Sequence, residues 1–302
     1  AGPGRAGARS AGSVRGSSPG RHPTAAAARI VRSSATRTKW GVTSSISSRV
    51  LGTTPETPAG RYSLLLTTDA DEVRAAQRLR HDVFGDELGA TLHSRVPGLD
   101  VDRFDEFCDH LVVREDATGR VVGTYRMLPP ARAREAGALY ADGEFDLTSL
   151  DGLRPELVET GRSCVHPDHR NGAVVSLVWA GLARYMLLSG NRWLAGCASV
   201  PLDGEDGADG ALAAGVWERV KATHLAPDLY RVAPHNPWRP GPVVRSGRLA
   251  MPPLLRGYLR LGTWIGGPPA HDPDFRCADF FVLLDVQHLD QRYLRYFLGA
   301  IA

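Results

Sequence analysis

The first fifty residues contain no aspartate and no glutamate. They carry nine basic side chains: Arg5, Arg9, Arg15, Arg21, Arg29, Arg32, Arg37, Lys39 and Arg49. Taking those nine charges from the formal +3 of the whole chain leaves about −6 for the remainder. The alkaline pI of about 8.8 is therefore a property of one end. It does not argue for a nucleic-acid-binding fold. Paired cysteines are missing as well. Cys108, Cys164, Cys197 and Cys277 are far apart, with no C-x-x-C among them. That spacing argues against a disulfide framework or a zinc site and fits reduced thiols in the cytoplasm, so no metal is expected. Long apolar runs are absent too. "AVVSLVWAGLARYMLL" (173–188) is the most apolar helix-like stretch, and Arg184 interrupts it. It reads as a core helix, not a membrane span.

What is present divides at about residue 58. Residues 1–58 are rich in Ala, Gly, Ser, Pro and Arg and poor in large apolar side chains. Such a segment buries too little surface to offset its ordering entropy, so a disordered tail is expected, with an organelle transit peptide as the alternative. Residues 59–302 read as one α/β domain around a mixed sheet. "RYSLLLTT" (61–68) predicts a strand, and Asp69 an N-cap with Glu72 three residues on. Val73, Ala76, Leu79, Val83 and Phe84 form a helical stripe. "HLVVRE" and "RVVGTYRML" flank the turn "DATG" and predict a hairpin. "LVETGRSCVHP" is a further strand, followed by a helix with Val174, Val178, Leu182 and Tyr185 on one face. "RWLAGCASV" and "FFVLLDV" predict strands, and "GALAAGVWERVKATH" and "LDQRYLRYFLG" helices.

The most informative stretch is the turn "HPDHRNGA" (166–173) between strand and helix. The first N–H groups of a helix have no intrahelical partner, and the helix dipole favours an anion there. Gly172 removes bulk, and Arg170 adds a charge for a phosphate. An ordinary strand-to-helix turn has the same features, so this segment alone does not decide.

Other segments do. "LRHDVFGDELGA" (79–90), "DEFCDHLVV" (105–113), "GTYRMLP" (123–129), "GEFDLTSL" (143–150), "ETGRSCVHPDHRNG" (159–172) and "GCAS" (196–199) follow one another in order. With "YLRLGTWIGGPPAHDPDFRCADFFVLLD" (258–285), this series resembles the GNAT superfamily. The resemblance is to the branch of ornithine N-acyltransferases and, more distantly, acyl-homoserine-lactone synthases. It implies a mixed, mostly antiparallel sheet flanked by helices and splayed beside the turn. It also implies that Val165, His166, Arg170, Asn171, Gly172, Ala173 and Val174 bind the donor's pyrophosphate or phosphopantetheine. The donor would be acyl carrier protein or coenzyme A, used as a substrate, with no cofactor. The expected activity moves a (3-hydroxy)fatty acyl group from acyl carrier protein to the α-amine of ornithine or a related amino acid, opening aminolipid synthesis. The alternatives are a coenzyme A-dependent enzyme with another amine acceptor, or a non-catalytic acyl-thioester binder.

Amide formation from a thioester needs a positioned amine that loses a proton, and donors for the developing oxyanion. Glu159 lies on the strand entering the turn and matches the acid of the branch's E-x-x-R element. It is the expected proton acceptor. Arg162, three residues on, faces away from Glu159 unless a bulge intervenes, and a bulge would also free N–H groups. Arg80 and Phe84, at i and i+4, match residues that shape the acceptor region in the lactone-synthase branch. Arg126 sits mid-strand and needs a carboxylate, with Asp102, Asp105 and Asp109 as candidates. Whether this group binds the acceptor or braces a loop is left open. Cys164 on an apolar strand is expected to be a buried small hydrophobe rather than a nucleophile. Arg170, Arg184, Arg192, Arg245, Arg248, Arg256 and Arg260 are candidates for docking an acidic acyl carrier protein. The Arg-rich 239–260 stretch is the candidate for peripheral contact with anionic lipid at the inner membrane face.

Overall fold

Alternating apolar residues build the sheet, and the helical stripes cover it. A computed structural model describes residues 48–54, 61–203, 210–240, 251–289 and 292. The strands are β1 (Ser48–Thr53), β2 (Tyr62–Thr67), β3 (Asp109–Glu115), β4 (Val121–Leu128), β5 (Phe145–Asp146), β6 (Leu157–Val165), β7 (Trp193–Pro201), β8 (Ala233–Pro234), β9 (Trp264–Ile265), β10 (Ala270–Asp272) and β11 (Cys277–Asp285). The helices are α1 (Ala70–Arg80), α2 (Pro130–Ala136), α3 (Gly172–Ser189), α4 (Ala211–Thr223) and α5 (Pro253–Arg260).

The main sheet runs β1-β2-β3-β4-β6-β7-β11-β10, with β9 also pairing β11. Every pairing in it is antiparallel except β6 with β7. The fold is the expected mixed, mostly antiparallel α/β sheet flanked by helices. The strand alternation sends Leu111 and Val113 toward α3 and its neighbours, while Val112 packs with Ala76, Leu79 and Val83 of the α1 side. Asp69 caps α1, accepting from the N–H groups of Asp71 and Glu72. α3 has 18 residues with a mean hydropathy of 1.4, long and apolar enough for a span. Its stripe of Val174, Val178, Leu182 and Tyr185 is instead buried against the sheet.

The expected tail boundary at residue 58 needs correction. β1 lies inside that segment and pairs with β2. Leu51 is buried in the core, and Arg184 donates to its carbonyl, so a short apolar residue and backbone pairing suffice to add a strand. Residues 1–47 and 55–58 of the expected tail lie outside the described residues, as does most of the expected closing helix at 289–299.

Candidate active site

β6 does two things at its centre. Arg126 of β4 pairs with Gly161, but Thr124 pairs with Cys164, so Tyr125 alone faces both Arg162 and Ser163. This is a β-bulge, and Arg162 adopts a left-handed φ of 53° within it. The conditional reading of Arg162 is thereby resolved. On the other edge, β6 pairs with β7 only from Leu157–Trp193 to Thr160–Gly196. Beyond that the two strands part, while β7 continues beside β11 to Pro201. The fork opens beside the bulge. At its base a Cβ on Gly196 would lie 2.4 Å from the Thr160 carbonyl oxygen, so glycine permits the last pairing.

The bulge turns Arg162 into a buried ionic group. Arg80, fully buried, makes two parallel hydrogen bonds to Asp105, each 2.8 Å, and its Nε lies 3.0 Å from Asp100. Arg126 donates to Asp102 at 2.6 Å and to Asp105 at 3.0 Å. Arg162 Nε lies 3.2 Å from the same Asp100 oxygen. Three arginines thus meet three aspartates. Burial pushes the Asp105 carboxyl up, but hydrogen bonds and charge from Arg80, then Arg126, hold it well below the ordinary range. Asp109 does not join, contrary to expectation. It accepts from Tyr185 of α3 at 2.7 Å. Alternation along β3 sends His110 to the ionic side instead, opposite Arg126, where its Nε2 contacts the Asp105 carbonyl at 3.1 Å.

Arg80 closes α1, and Phe84 lies in the turn that follows it. From His81 to Glu87 the chain forms a π-helix, with Leu88 N–H bonding to the Val83 carbonyl at 3.0 Å. The wider turn sets Phe84 edge-on to Phe275 at 5.6 Å, while Arg80 turns into the ionic group.

A cleft of about 610 Å³ opens on this group, with Asp100, Asp102, Tyr140, Arg162, Asp272 and Asp274 among its lining residues. Of the expected acceptor residues, Asp102 reaches the cleft wall, and so does Arg162. Arg80, Asp105 and Arg126 stand behind it. The Arg162 guanidinium stacks over Tyr140 at 5.1 Å and Phe275 at 4.9 Å.

Glu159 is 5% exposed and lies just before the fork. Its two oxygens accept the N–H groups of Tyr140 at 2.6 Å and Ala141 at 2.8 Å. Burial raises its pKa, the two backbone donors and then the Arg126 charge pull it back, and it rests at about 7. Each carboxylate oxygen keeps a further lone pair with which to accept.

At the start of α3, Asn171 is the N-cap, and its Oδ1 accepts from Ala173 and Val174, each at 3.1 Å. Those two N–H groups, expected to meet the donor, are therefore held by the chain's own cap. Arg170 makes two 2.6 Å hydrogen bonds to Glu87. Val165 packs against the core, and His166 Nε2 lies 2.6 Å from Arg120. A Cβ on Gly172 would meet open space, so the approach there is clear.

Cys164 is buried in the α1-side cluster, and burial pushes its thiol far up. Of the arginines expected to dock a carrier protein, Arg192 pairs with Asp285, while Arg256 and Arg260 are exposed on α5. Arg245 and Arg248 lie outside the described residues. Asp100, Tyr140, Asp272 and Asp274 were not singled out from sequence. The β3–β4 hairpin register sets His110 opposite Arg126. The spacing of Asp100 to Asp102 and Asp105 was the available signal for the first.

The family profile described as Acetyltransferase (GNAT) domain matches residues 79–180. The chain is 37% identical over 249 residues to the L-ornithine N(alpha)-acyltransferase of Rhodobacter capsulatus, covering 78% of this chain and 94% of that protein. It is 34% identical over 250 residues to the protein of that name from Rhizobium meliloti, covering 77% and 82%. Among solved structures, a coenzyme A-dependent acyl-homoserine lactone synthase, BjaI, is 19% identical with a TM-score of 0.46, covering 76% and 83%.

Proposed function

Because the chain belongs to the L-ornithine Nα-acyltransferase family of GNAT proteins, we propose that it acylates the α-amine of ornithine from an acyl carrier protein thioester. The chain is an acyltransferase. In our reading the acyl group is a 3-hydroxyacyl chain, and the product begins an aminolipid. The observation that carries this reading is the meeting of the fork and the acceptor cleft at the Arg162 bulge.

The donor arm lies in the fork, with its phosphate at the turn before α3. Arg170 leaves Glu87 to meet that phosphate. The acceptor lies in the cleft. Arg162 takes its carboxylate, and the aspartates of the wall suit its ammonium charge. The amine nitrogen attacks the thioester carbonyl. A C–N bond forms, the C–S bond breaks, and the thiol departs with a proton. N–H groups freed by the bulge hold the oxyanion. Glu159 takes the amine proton through a water, and a pKa near neutrality suits that task. The chemistry requires no metal or cofactor. Arg256 and Arg260 suit an acidic carrier protein or anionic lipid, and the lipid product fits a cytoplasmic enzyme at the inner membrane face.

Incubation with loaded acyl carrier protein and an amino-acid panel, read by mass spectrometry, tests this. N-acyl-ornithine is the expected product. Transfer from acyl-coenzyme A alone would remove the donor assignment, and acylation of other amines but not ornithine would remove the acceptor.

A further inference from the structure

The steps above leave two buried carboxyls unused. Glu144 precedes β5, and Asp279 sits in β11 opposite Ser199 of β7. Asp279 is 3% exposed. Both Glu144 oxygens are shut off from solvent, and neither takes a well-formed hydrogen bond among the described residues. Burial raises both carboxyls, and the two are in contact, so one proton is shared between them. Burial, then the Asp279 charge, pushes Glu144 up to about 9. Asp272 adds a third carboxyl, and the Tyr140 hydroxyl, the Cys197 and Cys277 thiols and the Ser199 hydroxyl complete the surroundings. Tyr140 and Asp272, neighbours of the pair, line the cleft, so the pair stands behind that part of its wall. Cys197 is the first residue of β7 past the last β6 pairing, which sets the pair beside the fork.

We infer that Glu144 and Asp279 form the subsite for the acceptor's second, side-chain ammonium and so select a dibasic amino acid over a neutral one. This rests on the proposed N-acylation of an amino acid in the cleft. A buried carboxyl pair without a cation is costly, and a proton offsets that cost while the site is empty. A bound ammonium brings three donors, enough for both Glu144 and Asp279, and displaces the proton. A neutral side chain leaves the pair unsatisfied, which a site of this kind rejects. A divalent cation is the competing occupant, since Asp272, Cys277 and Asp279 present ligand atoms within 4.8 Å of one another. However, burial first and the Asp279 charge next push the Cys277 thiol up, and one Asp272 oxygen already accepts from Asp274 and Phe275.

The test compares ornithine with norvaline, which has the same carbon chain without the side-chain amine. In Glu144→Gln and Asp279→Asn, the ratio of kcat/KM for ornithine over norvaline falls at least about tenfold, through KM for ornithine. An unchanged ratio overturns the inference. A parallel fall in kcat for both acceptors also overturns it, since the pair would then serve the attacking amine. Loss of wild-type discrimination in EDTA, restored by a divalent metal, would assign the site to the metal. Calorimetry on the wild-type chain, in two buffers of different ionisation enthalpy, covers variants that do not fold. About one proton is released per bound ornithine near neutral pH and none per norvaline; equal release overturns the inference. If ornithine binds with that proton release but is not acylated, the functional reading fails while the subsite stands.

Discussion

Glu159 Oε2 accepts the backbone N–H of Tyr140 at 2.6 Å, and its other oxygen accepts that of Ala141. A carboxylate just before the fork therefore fixes the segment whose tyrosine lines the cleft. The proposed proton acceptor is thus also a positioning group.

Glu159→Gln separates these roles. The amide keeps one acceptor and turns an N–H₂ against the other backbone donor. We expect kcat/KM to fall by about 10²–10⁴-fold, the range of a lost general base. In the wild type, the rising limb of the pH–rate profile has an apparent pKa near 7, and in the variant that limb is absent. The folded pKa lies above the ordinary glutamate value of 4.5, so this group's stabilising contribution is full below 4.5 and is lost as pH rises through about 7. Glu159→Gln therefore has a flatter stability curve across that window, measured by urea unfolding.

The ionic group behaves in the opposite sense. Asp105 is held below its ordinary pKa, so its contribution is full above 3.8 and is lost as pH falls below that. Asp105→Ala or Arg126→Ala leaves a buried charge uncompensated and costs about 3–5 kcal/mol by denaturant unfolding. Asp109→Asn, by contrast, keeps a partner for Tyr185 and changes stability by no more than about 1 kcal/mol. Transfer activity within about twofold of wild type in that variant would agree with its place outside the cleft.

Arg170 and Glu87 are both partly exposed, at 45% and 31% of their side-chain surface. Glu87→Gln should change stability by less than about 1 kcal/mol, since exposed ion pairs contribute little. It also frees Arg170, so KM for the loaded donor falls, whereas Arg170→Gln raises it. Steady-state kinetics at two salt concentrations reads both effects, and an unmoved donor KM in both variants removes Arg170 from the donor site.

Gly196→Ala sets a methyl group against the Thr160 carbonyl at the base of the fork. Overpacking of this kind costs about 1–3 kcal/mol. A lowered Tm with reduced transfer is expected. A variant with wild-type Tm would mean that the fork widens without strain.

Local pattern determined a large part of this molecule. The stripes of α1 and α3, the Asp69 cap and the β3–β4 hairpin follow from side chains close in sequence, because periodicity and capping are short-range effects. The series of motifs identified the family and so the sheet. Glu159 and Arg162 were legible as a pair, but whether they share a side depended on one extra residue in a strand, which spacing alone leaves open. β1 was hidden because its stability comes from pairing with β2 and from burial of Leu51, not from its own composition. Asp109 and His110 are neighbours on β3, and the pleat of a paired strand decided which of them faces the ionic group. Tertiary structure alone brought Glu144 to Asp279 and Arg170 to Glu87. Those meetings join distant segments, and their electrostatics depend on the burial that only the finished fold supplies.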